Sequence, residues 1–61
     1  MPIVTIQMST GKSVDQKRQI VEEITDTLVR TLQVDPATIT ILLQELPREN
    51  IGRTGRLLSE T

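Results

Sequence analysis

Acid–base chemistry near neutral pH needs a group whose pKa lies close to 7. The side chains of this sequence supply none of the usual kind, because its 61 residues include no histidine and no cysteine. Ordinary carboxylates and lysines titrate about three units or more from neutrality, and the α-amino group, at about 8 in model peptides, comes closest. The chain opens Met1-Pro2-Ile3-Val4-Thr5-Ile6-Gln7-Met8. A small second residue favours removal of the initiator methionine, which leaves Pro2 as a free secondary amine. An apolar, cation-rich pocket disfavours the charged form of such an amine and lowers its pKa. Pro2 is therefore a candidate general acid/base that works without a cofactor. It also fits a plainer role, since proline is tolerated at the first position of a strand, where its missing N–H removes no central ladder bond. On residue chemistry alone both roles stand. Ser9, Ser13 and Ser59 have no histidine to activate them, so a serine nucleophile has little support.

The elements that must position Pro2 follow from periodicity. Residues Pro2 to Met8 alternate, with Val4, Ile6 and Met8 on one face and Ile3, Thr5 and Gln7 on the other, which predicts a strand. Ser9-Thr10-Gly11-Lys12 is a polar connection, and Ser13-Val14-Asp15-Gln16 fits a capping box. A helix is predicted from Val14 to about Gln33, with Ile20, Val21, Ile24, Leu28 and Leu32 as its apolar stripe. Asp26 and Arg30 are spaced for a weak ion pair on its surface. Asp35 and Pro36 suit a capped turn, and Thr38 to Leu46 reads as a second strand with Ile39, Ile41 and Leu43 turned to the helix. Pro47-Arg48-Glu49-Asn50 ends it, and Ile51 to Leu58, with two glycines, reads as a small hairpin or extended arm. The fold class is α/β: one βαβ unit with parallel strands and a right-handed crossover, residues 1–61 forming a single domain.

Composition bounds partners and place. Seven basic and eight acidic residues give a net charge of −1, with no aromatic side chain, so neither the charge nor the stacking surface for nucleic acid is present. No apolar run is long enough to span a bilayer and no signal-peptide pattern precedes the first strand, so a cytoplasmic protein without a membrane partner is expected. A chain this short buries only about 60% of its unfolded surface. Without disulfides or ordinary zinc ligands to help, self-association is the expected supplement. The edges and the open face of one βαβ unit are where copies would meet.

The opening Met-Pro-Ile-Val-Thr-Ile, the Gly11-Lys12-Ser13 turn, Asp15-Gln16-Lys17 at the helix start and Gly52-x-x-Gly55 occur together at this spacing over nearly the whole chain. In this the sequence resembles the 4-oxalocrotonate tautomerase family. The resemblance implies an oligomer, usually a hexamer built as a trimer of dimers. It also implies cofactor-independent enol–keto isomerisation of a 2-hydroxy-dienoate such as 2-hydroxymuconate, or of a related 2-oxo acid. The amino-terminal proline, here Pro2, is the general acid/base in that family, cationic side chains hold the carboxylates, and an apolar wall helps keep the amine neutral.

Three positions depart from the pattern. Lys12 stands where an arginine is common, keeping the charge but not the two-pronged fork. Thr40 stands where the second strand of the family carries another arginine, and Ile51 stands at an aromatic wall position. Arg53, two residues after Ile51, is a candidate to replace the cation absent at Thr40, with Arg56 a weaker one; an exposed arginine on the arm is the plainer reading. Two alternatives remain open at this stage. One is a non-catalytic or weakly active subunit of a homo- or hetero-oligomer. The other is a related hydratase or dehalogenase activity, for which Glu45 or Glu49 would have to activate water.

Overall fold

A computed structural model describes all residues, 1–61. Strand β1 (Ile3–Ser9) leads into helix α1 (Val14–Leu32), which returns the chain to strand β2 (Thr40–Leu46). β1 and β2 are parallel, in register from Ile3 opposite Thr40 to Ser9 opposite Leu46. The arm forms a hairpin of β3 (Gly52–Arg53) and β4 (Arg56–Leu57), antiparallel. The predicted βαβ unit with a short C-terminal hairpin is thus present. Both strands start slightly later than their sequence patterns suggest. Pro2 precedes β1, and its carbonyl accepts the Thr40 N–H at 3.1 Å. Thr38 belongs instead to a 3-10 turn, Pro36–Thr38, whose Asp35 cap accepts the Ala37 N–H at 2.9 Å.

The helix begins where the capping box places it. Ser13 Oγ accepts the Gln16 N–H at 3.1 Å, and Gln16 Oε1 accepts the Ser13 N–H at 2.9 Å, so two otherwise unpaired donors are satisfied. Gly11, at φ 113°, makes the preceding turn in a conformation that side chains rarely adopt. At the other end Gln33, in the left-handed region, donates its N–H to Val29 O at 2.9 Å. Asp26 and Arg30 make no ion pair; Arg18 bonds Asp15 instead, at 2.7 Å. Exposed pairs of this kind compete with water and contribute little.

Ile20, Val21, Ile24 and Leu28 are half-buried on the helix, as the stripe requires, but Leu32 is exposed. Lys17, Thr25 and Val29 join the covered face in its place. Val4, Ile6, Met8, Ile41 and Leu43 are half-buried apolar positions of the sheet. Glu45, in line with them, forms an ion pair with Lys17 that ties helix to sheet. The other face of the sheet is uncovered: Ile3 is 60% and Leu42 51% exposed, and Gln7 donates to Gln44 across it at 2.9 Å. None of the 61 residues is buried. The protomer measures 44 × 23 × 14 Å with a radius of gyration of 14.7 Å, against roughly 10 Å for a compact chain of this length. No helix is long and apolar enough to cross a membrane.

The arm is held at its base and strained at its tip. Leu58 N–H donates to Ile51 O at 2.8 Å, and the Arg48 guanidinium donates to Leu58 O at 2.9 Å. At the tip Thr54 and Gly55 both have positive φ, 54° and 74°. That is the signature of a tight type I′ turn, in which asparagine followed by glycine is preferred. A β-branched residue there is an outlier.

Two stability measurements follow, both at one fixed protomer concentration. Ser13→Ala removes the helix cap and should lower unfolding free energy by about 1 kcal/mol in urea titrations followed by circular dichroism. Thr54→Asn keeps the turn and relieves the strain, so it should raise stability by about 1 kcal/mol; no change or a loss would show that the turn is not strained.

Candidate active site

The ladder sorts the candidate residues into separate places. Pro2 is half-buried at the head of β1, beside half-buried Thr40 at the head of β2, and the Thr40 N–H to Pro2 carbonyl bond fixes the two together. Backbone hydrogen bonding engages only the carbonyl of Pro2. Its ring nitrogen has no hydrogen to donate while Met1 is attached, and becomes a secondary amine when Met1 is removed. Met1 is 87% exposed.

Ile51 and Arg53 lie at the opposite end of the same ladder. There the C-terminal ends of β1 and β2 meet the folded-back arm in an open groove of about 340 Å3. Met8, Leu46, Ile51 and Leu58 give the groove its apolar lining, and Ser9 and Arg53 are among its polar residues. The two hydrogen bonds at the base of the arm hold Ile51 next to Leu58. Leu46 and Leu58 have no special mark in the sequence: each reads as the last apolar residue of its segment. Only the Leu58-to-Ile51 closure makes them neighbours of Ile51.

Lys12 is elsewhere again. It is exposed, in the turn between β1 and α1, and lines a shallow depression with Gln16, Gln19, Ile20 and Glu23 of the helix. Its ammonium makes no ion pair within 4.0 Å. Glu45 is committed to Lys17 on the helix side of the sheet, and Glu49 is exposed in the 3-10 turn Arg48–Asn50.

One protomer therefore brings Pro2 to Thr40 and Ile51 to Arg53, but does not bring these pairs together. The seven residues of β1, Ile3–Ser9, run in extended backbone, which at about 3.3 Å per residue separates the two ends by roughly 20 Å. No small substrate spans that distance.

Comparison with known proteins gives a consistent result. A family model described as tautomerase enzyme matches residues 2–61. A probable tautomerase of Halalkalibacterium halodurans is 37% identical over 60 residues, 98% of each chain. The 2-hydroxymuconate tautomerase of Bacillus subtilis is 30% identical over 60 residues, 98% of this chain and 97% of that one. Among solved structures, a 4-oxalocrotonate tautomerase isozyme from Methylibium petroleiphilum superposes with a TM-score of 0.90 at 37% identity, covering 97% of this chain and 92% of its own. The βαβ fold, the hairpin and these matches over almost the full length agree: this chain belongs to the tautomerase enzyme family, a family of isomerases.

Proposed function

We propose that the protein is a cofactor-independent tautomerase that interconverts the enol and keto forms of a 2-hydroxy-dienoate such as 2-hydroxymuconate, or of a related 2-oxo acid. The observation that carries this reading is the setting of Pro2. Its carbonyl is fixed by Thr40 at the start of the ladder, while its nitrogen is left out of backbone bonding. The relatives named 2-hydroxymuconate tautomerase support the choice of substrate.

In this mechanism the Pro2 amine takes the hydroxyl proton of the dienol and returns a proton to carbon along the conjugated chain, giving the conjugated ketone. One proton moves and no electrons are gained or lost overall, so the residues need only position, charge and exclusion of water. Thr40 supplies a hydroxyl beside the amine where an arginine would have supplied charge. Lys12 faces the carboxylate next to the reacting carbons, and Arg53 supplies the second cation. Ile51 with Met8, Leu46 and Leu58 lines the carbon chain and lowers the local polarity, which favours a neutral amine.

The site is shared between copies. The 20 Å gap within a protomer and the exposed apolar residues Ile3 and Leu42 both support association, and a hexamer built as a trimer of dimers is the assembly that fits the family resemblance. Small size and lack of a membrane-spanning helix suit a cytoplasmic enzyme.

Ultraviolet assays of 2-hydroxymuconate ketonisation test the reading on protein whose intact mass lacks Met1. Pro2→Ala should lower kcat/KM by about a hundredfold or more, the scale of a lost general acid/base. Protein that retains Met1 should be equally inactive, because an amide nitrogen is not a base. Equal rates for the parent and Pro2→Ala proteins would rule Pro2 out and favour a non-catalytic subunit.

A further inference from the structure

The hairpin brings two arginines together in a way that the stability of the chain alone does not reward. Arg53 and Arg56 are direct partners in the β3–β4 register. Facing residues of an antiparallel pair project from the same side with β-carbons roughly 5 Å apart, and like charges so placed repel. The turn that imposes this register is itself strained at Thr54. No carboxylate oxygen lies within 4.0 Å of either guanidinium, and neither makes a side-chain hydrogen bond. Glu60 borders the same hollow, of about 280 Å3, without pairing with them. Lys17 and Arg18 have carboxylate partners and Arg48 bonds the Leu58 carbonyl; Lys12 and Arg30 are also unpaired, but neither is the register partner of another cation.

Arg53 borders two cavities at once. It lines the apolar groove with Met8, Leu46, Ile51 and Leu58, and it lines the hairpin hollow with Arg56. We propose that Arg53 and Arg56 form a two-guanidinium clamp for the distal carboxylate of an unsaturated dicarboxylate whose carbon chain lies in the adjoining groove. An anion placed there removes the repulsion between the two arginines and meets two rigid donor forks, a geometry that arginine provides and lysine does not. Arg56 is then a specificity-determining residue for substrates with a second carboxylate, and Thr54 holds the clamp in register. The inference rests on the tautomerase reading for its substrate, but the clamp can be probed without turnover.

Kinetics of Arg56→Gln and Arg56→Lys with 2-hydroxymuconate, which has two carboxylates, and phenylenolpyruvate, which has one, provide the first test. For Arg56→Gln the ratio of kcat/KM values, dicarboxylate over monocarboxylate, should fall about tenfold through KM, equivalent to about one charge-assisted hydrogen bond. Arg56→Lys should recover only part of it. The double variant Arg53→Gln/Arg56→Gln should fall little further than Arg56→Gln, because the clamp acts as a unit. An unchanged ratio would overturn the clamp. So would a smaller particle by light scattering in the arginine variants, which would assign the pair to docking between subunits. The second test is calorimetric binding of cis,cis-muconate, an unreactive dicarboxylate, to Pro2→Ala protein with and without Arg56→Gln. Weaker binding in the double variant supports the clamp whatever Pro2 does, and equal binding overturns it while leaving the role of Pro2 intact.

Discussion

The constraint on which the rest of this structure depends is the absence of an interior. Ordering a residue costs roughly 1–2 kcal/mol of backbone entropy, and small domains offset that cost by removing apolar side chains from water. Here the helix covers one face of a two-stranded sheet and nothing covers the other, so every side chain keeps contact with solvent. The Lys17–Glu45 ion pair and the Gln7–Gln44 hydrogen bond lie on opposite faces of that sheet. They fix geometry, but half-exposed polar pairs add little net stability. The proposed association of copies answers this deficit directly, by covering Ile3, Leu42 and the strand edges.

The same geometry governs the chemistry. A parallel βαβ unit sends the chain away from Pro2 along β1 and brings it back beside Pro2 at Thr40, so the ends of the ladder are different environments. The head presents a proline and a threonine. The far end presents an open apolar groove, bordered by the arm and flanked by arginine. Neither end holds a base, a wall and a cation together. A proton-transfer site and a buried interface therefore become one requirement in this reading: contacts that complete the core also bring the arm of one copy to the proline of another.

Much of the fold was legible because its signals are local. The Ser13–Gln16 box, the Asp35–Pro36 turn and the strand alternation each depend on residues within a few positions, and each appears in the structure as read. What the sequence hid depends on distance or competition. Leu32 fits the helical stripe yet is half exposed at the last position of the helix, and Asp26–Arg30 has the right spacing but both residues are exposed. The Lys17–Glu45 pair depends on the register of helix over strand, which no spacing rule supplies. Pro2 was singled out as the candidate base by elimination and Arg53 by its place two residues after Ile51, and both enter the account as proposals. The facing of Arg53 and Arg56 needed the two-residue turn, and hence a positive φ at a threonine that sequence preference would not choose.

The central claim is that association completes both the core and the site. It is tested most directly by diluting the Met1-free protein while following three signals: mass by sedimentation, helix content by circular dichroism, and 2-hydroxymuconate turnover per protomer. The account predicts that turnover falls in step with assembly, and that helix content falls with it. A monomer that stays folded and keeps its full turnover would contradict the account.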